Sequence, residues 1–269
     1  MQQQKKLMTT SRNILIVTCH PEPQSLNHAL TRHAVTTLAG FGHRVVESDL
    51  YAMRWKAVVD GDDFPAEPQG TRLSPGSASR RATEGGSLTS DVTAEQAKLL
   101  AADAVIFQFP LWWFGLPAML KGWFDRVFSN GFAYGLTAPG ARYSARYGEG
   151  RLAGRRAMLS LTTGGLAPHF STRGVNGALE DMLFPVTHGT LYYTGMDVLP
   201  SFAVHGSNRL PDEQFMAARE AYTRRLHGLF SETPIPYRSQ NGGDYDDNLQ
   251  LRADIAAGAT GLAMHRKEY

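Results

Sequence analysis

Asn13-Ile14-Leu15-Ile16-Val17-Thr18-Cys19-His20-Pro21-Glu22-Pro23-Gln24-Ser25-Leu26-Asn27 decides the fold. Its first six residues are apolar on both faces, the pattern of a strand buried inside a parallel sheet. The run stops at His20-Pro21-Glu22-Pro23, and from Ser25 the period changes. Leu26, Ala29, Leu30, Ala34 and Leu38 share one helical face, with Ser25 placed as N-cap and Gly40 as stop. Arg44–Asp49 then supplies a second strand, so the segment is a strand–helix–strand unit.

Outward from that unit the alternation continues. Thr93-x-x-Gln96 has the form of a capping box and opens a helix to about Ala102. Ala104–Pro110 is the next buried strand. Leu116, Met119, Leu120, Trp123, Phe124, Val127 and Phe128 form an amphipathic stripe. A strand over Ala157–Thr162, a helical stretch near Gly177–Thr190, a strand over Val198–Val204 and a helix over Pro211–Phe230 follow. Gly61–Ser90 and Leu136–Arg155 are expected as loops, and Ser231–Tyr269 is polar and weakly patterned. Five strands alternating with helices predict an α/β, doubly wound parallel sheet, whose ligand lies beyond the carboxyl ends of the strands. The expected layout is a tail over residues 1–12, one domain over 13–234 and a C-terminal extension over 235–269.

Composition narrows the classes. With 27 Lys+Arg against 25 Asp+Glu in 269 residues, the net charge of +2 advertises no nucleic-acid surface. One cysteine, Cys19, forms no disulfide framework or structural zinc site within the chain and fits a reducing, cytoplasmic setting. It closes a buried strand and is expected to be an inert core thiol. No apolar run reaches the ~18 residues of a membrane span. Asp60, Asp62 and Asp63 form a short acidic run expected to be solvated. Arg151, Arg155 and Arg156 are either a phosphate attractant or a solvated basic loop.

Three strand-to-helix turns remain as candidates for chemistry. Both usual glycine-rich phosphate signatures are absent, as are H-E-x-x-H and G-x-S-x-G. The first turn offers His20, the Ser25 hydroxyl, the Asn27 amide and free helix N–H groups, enough to hold a phosphate; an ordinary N-cap is the alternative. The second, Pro110-Leu111-Trp112-Trp113-Phe114-Gly115-Leu116-Pro117, puts three adjacent rings at a strand end. Packing accounts for Trp123 and Phe124 but poorly for Trp112–Phe114, which suit the wall of a planar, electron-poor ring system such as a flavin. In the third, Thr162-Thr163-Gly164-Gly165, two residues without side chains let a ligand lie against the backbone.

Glu47-Ser48-Asp49-Leu50-Tyr51-Ala52-Met53, Ala94-Glu95-Gln96, Val105-Ile106-Phe107-Gln108-Phe109-Pro110-Leu111, Trp113-Phe114-Gly115, Leu120-Lys121-Gly122-Trp123-Phe124 and Thr162-Thr163-Gly164-Gly165 together resemble the NAD(P)H:quinone oxidoreductases of the DT-diaphorase family. The resemblance runs from about Asn13 to Pro234. It implies a flavodoxin-like domain, a homodimer with active sites at the subunit interface, and bound FAD rather than FMN. NAD(P)H would be the electron donor and a quinone the substrate. By the same resemblance His20, Ser25, Leu26 and Asn27 meet the diphosphate and ribityl chain. Pro110, Leu111, Trp112, Trp113 and Phe114 line the ring system, with Trp113 and Phe114 also stacking on substrate. Thr162, Thr163, Gly164 and Gly165 meet the flavin's polar edge, with Gly164 and Gly165 in a catalytic role. Ala133, Tyr134, Gly135 and Tyr193 belong to the substrate pocket.

Two positions depart from the family's best-known branch, which carries Tyr and His where this chain carries Phe170 and Asn176. Phe170 has no hydroxyl to donate, and Asn176 donates a hydrogen bond but does not titrate. A branch preferring smaller dihydronicotinamide donors also has Asn there. Phe170 is therefore expected beside the cofactor, and Asn176 in the substrate pocket and the catalytic step. That branch's metal site needs two His and a Cys. Only His188 matches, with Tyr192 at the second position, and no metal is expected. Two other readings share the fold: a flavin-binding regulatory subunit of a potassium efflux system, and a nitro- or azo-compound reductase.

Overall fold

The computed structural model describes residues 10–68, 70 and 72–267. Its centre is an all-parallel sheet. The strands are β1 (Asn13–Thr18), β2 (Arg44–Asp49), β3 (Ala104–Pro110), β4 (Arg156–Thr162), β5 (Asp197–Val198) and β6 (Phe202–Val204). The order is β2-β1-β3-β4-β5, with β6 also paired to β4. The register runs Thr18 beside Gln108 and Pro110 beside Thr162, so three strands end near one level. The connections reverse direction between β1 and β3, which opens a crevice there.

Alternation along β1 shows how the sheet is buried on both faces. Leu15 and Val17 pack with Val105, Phe107 and Phe109 beneath α3 (Ser90–Ala101) and α4 (Ala118–Val127). Ile14 and Ile16 pack with Ile106 and Met158 beneath α1 (Leu26–Gly40) and α5 (Asp212–His227). Trp123 and Phe124 lie in the first cluster, as their helical spacing requires.

Several expectations need correction. Gly61–Ser90 is not structureless: α2 spans Pro75–Gly85, with Ser74 at its N-cap and Gly86 left-handed at its end. Small residues make it: Ala78, Ser79 and Ala82 are its buried face, and Ser79 Oγ accepts from the Asn130 N–H at 2.9 Å. Helix α3 begins at Ser90. Thr93 is inside it, and Gln96 reaches across to Val127 O and Ser129 Oγ instead of closing a capping box. The last strand is broken, because Leu199-Pro200-Ser201 separates β5 from β6; proline has no N–H for a ladder. The stretch near Gly177–Thr190 is helical in pieces, with short α-helical turns at Leu179–Met182 and Phe184–Val186 and a π-helix at Thr187–Tyr192. Asp63 is not solvated: it is buried and pairs with Arg126 at 2.8 Å. Arg155 and Arg156 cap carbonyls of Leu99, Leu100 and Leu229 at the amino end of β4, away from the crevice.

The C-terminal extension packs on the domain. Ile235 N–H donates to Val198 O at 2.7 Å, and Ile235, Tyr237, Arg238 and Gln240 are buried. The π-helix presents His188 to it, stacked between Tyr147 and Phe184 at 4.8 and 4.5 Å and edge-on to Tyr237 at 4.9 Å. Among the described residues no group of three or more His, Cys, Asp or Glu side chains could hold a metal. Burial presses the His188 pKa down to about 4 from 6.5, so the ring is neutral in the fold. Between those values the unfolded chain binds a proton that the folded chain refuses, so stability drops as pH falls through that window. The shift amounts to about 3 kcal/mol once both transitions are passed. His188→Phe should flatten the pH dependence of urea-unfolding stability between pH 4 and 6.5; an unchanged slope would refute this assignment.

Candidate functional site

At the carboxyl ends of β1, β3 and β4 lies a cleft of about 410 Å³ lined by His20, Ser25, Leu26, Asn27, Pro110, Leu111, Trp112, Thr162 and Gly164. Ser207 and Asn208, from the turn after β6, complete it. All three candidate turns therefore meet at one place. Nothing in the pattern around Ser207 and Asn208 pointed there. The signal available was their position just past the last strand.

The first wall is the start of α1. Ser25 Oγ caps the helix by accepting from the His28 N–H at 3.3 Å, and Ser25, Leu26 and Asn27 at the helix start line the cleft. His20 Nδ1 lies 3.0 Å from Glu22 N and 3.3 Å from Glu22 O, and in the tautomer that accepts from the nearer N–H the ring's donor is Nε2–H. Burial lowers the His20 pKa below its ordinary value, so it acts as a neutral donor. Asn27 is buried: its Oδ1 accepts from Gln108 Nε2 at 2.9 Å and its Nδ2 donates to Thr162 Oγ1 at 3.0 Å. Cys19, beneath this wall, has its thiol pushed up to about 12 by burial and is not a nucleophile.

The second wall is a two-residue hairpin. Trp112 and Gly115 exchange both backbone hydrogen bonds, at 3.3 and 3.0 Å. The two residues between them, Trp113 and Phe114, have φ of 50° and 59°. Such a turn is the natural place for Asn-Gly, and bulky residues there are strained. The strain gains almost no burial for Trp113, which is 97% exposed, and only partial burial for Phe114, at 50%, and Trp112, at 42%. The three rings are exposed on the hairpin, and Trp112 lines the cleft.

The third wall is Thr162–Gly165. A Cβ at Gly164 would come within 2.9 Å of Asn208 Nδ2, and one at Gly165 within 3.0 Å of Phe170 Cε2. A side chain at either position would have to displace the Asn208 amide or the Phe170 ring. Thr163 is buried behind the turn, and Phe170 stacks on His205 at 5.4 Å. Asn176 lies on the following loop, half-buried, its N–H bonded to His169 O at 3.0 Å. The remaining substrate-pocket candidates stand apart. Ala133 is in the core, and Tyr134 lines a separate cavity of about 250 Å³ beside α2 and α4. Gly135 O accepts from Arg80 Nη1, and Tyr193 packs on Tyr147 at 5.1 Å.

The strand order and a crevice built from these turns define the flavodoxin-like class, and residues 12–226 match the family model of the flavodoxin-like fold. The chain is 50% identical over 257 residues to a ribosyldihydronicotinamide dehydrogenase-like protein of Penicillium crustosum, covering 94% of this chain and 95% of that one. It is 39% identical to the NAD(P)H dehydrogenase [quinone] 1 of Rattus norvegicus, covering 83% and 80%. A Klebsiella pneumoniae crystal structure described as a quinone reductase superposes with a TM-score of 0.93 at 48% identity, covering 96% of this chain and all of that one. Within the flavodoxin-like class, the chain belongs to the NAD(P)H:quinone oxidoreductase family.

The hairpin yields a test independent of ligand. Because Asn and Gly tolerate left-handed backbone, the double variant Trp113→Asn, Phe114→Gly should unfold at higher denaturant, stabilised by about 1 kcal/mol. A loss of stability would show that the rings support the fold instead.

Proposed function

We propose that the chain is an FAD-dependent NAD(P)H dehydrogenase acting on quinones, and that the exposed aromatic hairpin carries this reading. Two adjacent rings held in a strained conformation, one of them almost fully exposed, favour a surface kept for stacking. The donor set beside it fits a flavin nucleotide: His20 Nε2–H, Ser25 and the α1 N-terminus for phosphate, and Leu111–Phe114 for the ring system. The backbone N–H groups of Gly164 and Gly165 suit its electron-rich edge. When bound, the flavin supplies a ring that takes a hydride from a dihydronicotinamide and returns two electrons to a quinone.

The chain's own part is to orient and exclude. Trp113 and Phe114 offer one stacking slot, so donor and acceptor occupy it in turn and the kinetics are expected to be ping-pong. Gly164 and Gly165 would place fixed donors where negative charge gathers. Phe170 and Asn176 provide no titrating group there, so the protons that accompany quinone reduction come from solvent. Trp113, Phe114, Leu166 and Val175 form exposed apolar surface at the same end of the sheet. A patch of this kind favours coverage by a second copy, giving a homodimer whose partner completes the pocket with residues such as Tyr134.

The deciding experiment is to purify the chain, identify any released flavin, and assay menadione reduction with NADH, NADPH and a smaller dihydronicotinamide. Parallel double-reciprocal plots are expected. Flavin without turnover would favour the regulatory reading, and turnover confined to nitro or azo compounds the third. Trp113→Ala should weaken substrate stacking by about 1–3 kcal/mol, seen as raised KM; unchanged KM for both substrates would remove Trp113 from the slot. Asn176→Ala should leave the pH–rate profile without a new titration, and a steep fall in kcat with one would contradict the solvent route.

A further inference from the structure

His205 stands immediately after β6, outside every motif that marks the cleft, yet it is tied to the third wall. Its Nδ1 lies 2.9 Å from Thr163 Oγ1, and that hydroxyl donates to Gly165 O at 2.8 Å. A hydroxyl has one proton. With that proton on Gly165 O, Thr163 accepts from His205, so the imidazole carries its proton on Nδ1. Nε2 then holds the lone pair and has no hydrogen-bond partner among the described residues. The backbone repeats the tie: Thr163 N–H donates to Val204 O, Ser207 N–H to Thr163 O and Gly206 N–H to Gly165 O, each at 2.9 Å.

We infer that His205 is a positioning residue for the Thr163–Gly165 turn, fixing the Thr163 hydroxyl on Gly165 O and placing a titratable ring two hydrogen bonds behind the wall that meets the cofactor. The inference rests on the flavin-binding reading and adds to it a pH-sensitive element. In the alternative tautomer Nδ1 accepts, the Thr163 proton turns to it, and Gly165 O loses one of its two donors. Protonation at Nε2 breaks none of these bonds and adds a positive charge behind the turn. The ring is half-buried, so solvent reaches it, and burial holds its pKa below the ordinary value.

The groups around it leave that charge uncompensated. Phe170 covers one face of the ring. His169, on the same loop, lies against Gly165, and Arg209 follows in the turn after β6; no carboxylate contributes to the shift. An electron-rich edge docked at Gly164 and Gly165 would therefore favour the charged ring and raise its pKa toward the ordinary range. By linkage, lower pH should tighten binding of that ligand.

Nitrogen-detected NMR of the histidine rings in flavin-free and FAD-loaded protein tests this, beside His205→Asn, which keeps a donor at the Nδ1 place, and His205→Phe, which does not. Expected are the Nδ1–H tautomer without flavin, a higher His205 pKa with FAD, and FAD affinity about fivefold weaker in His205→Phe, the net worth of one hydrogen bond. His205→Asn should restore that affinity while abolishing its rise at lower pH. An Nε2–H tautomer, a pKa unmoved by FAD, or equal affinity and pH profile in the two variants would overturn the inference alone. A chain that takes up no flavin would overturn it together with the functional reading.

Discussion

One buried chain of hydrogen bonds sets the cleft floor. Ser160 Oγ donates to Gln108 Oε1, Gln108 Nε2 to Asn27 Oδ1, and Asn27 Nδ2 to Thr162 Oγ1, over distances of 2.7 to 3.0 Å. Its four members come from β3, β4 and the first turn of α1, and all are buried. A polar group stranded there would lose about 1–3 kcal/mol, so each member holds the others to one arrangement. The apolar clusters hold helices to sheet without direction; this chain fixes where the α1 N-terminus stands relative to Thr162. The first turn of α1 and the Thr162–Gly165 turn are thereby kept in register across the cleft.

Against that rigid floor the walls differ in character. The Ser25 cap is relaxed and common. The Trp112–Gly115 hairpin is strained, and Gly164 and Gly165 are hemmed in by Asn208, Phe170 and His169. Rigid support below and strain above is the arrangement expected where function, not folding, chose the residues.

Much of this was legible in the sequence because burial on both faces of a parallel sheet leaves an unmistakable apolar run, as in Ile14–Val17 and Val105–Phe109. The three turns that line the cleft could be placed because each follows such a run. What the sequence hid has specific causes. Helix α2 packs through alanine and serine, so Pro75–Gly85 carried no apolar stripe, although Ser74, Pro75 and Gly86 are start and stop signals. The break at Leu199–Ser201 is signalled by Pro200, against the continuous strand expected there, whereas no residue pattern marks the π-helix over Thr187–Tyr192. Ser207, Asn208 and His205 lie just past Val204, the strand end that the pattern did mark, but no ligand motif singled out the turn that holds them. Asp63 looked solvated because its partner, Arg126, is distant in sequence.

The hairpin between Trp112 and Gly115 has a consequence for how this protein changes over evolutionary time. Selection for folding alone would let positions 113 and 114 drift toward Asn and Gly, since both hold a left-handed backbone that those residues adopt without strain. Two aromatic residues at such positions are a record written against that drift. Among descendants that lose the activity, this turn is where the sequence should decay first, while the buried chain beneath it outlasts the function it was built to serve.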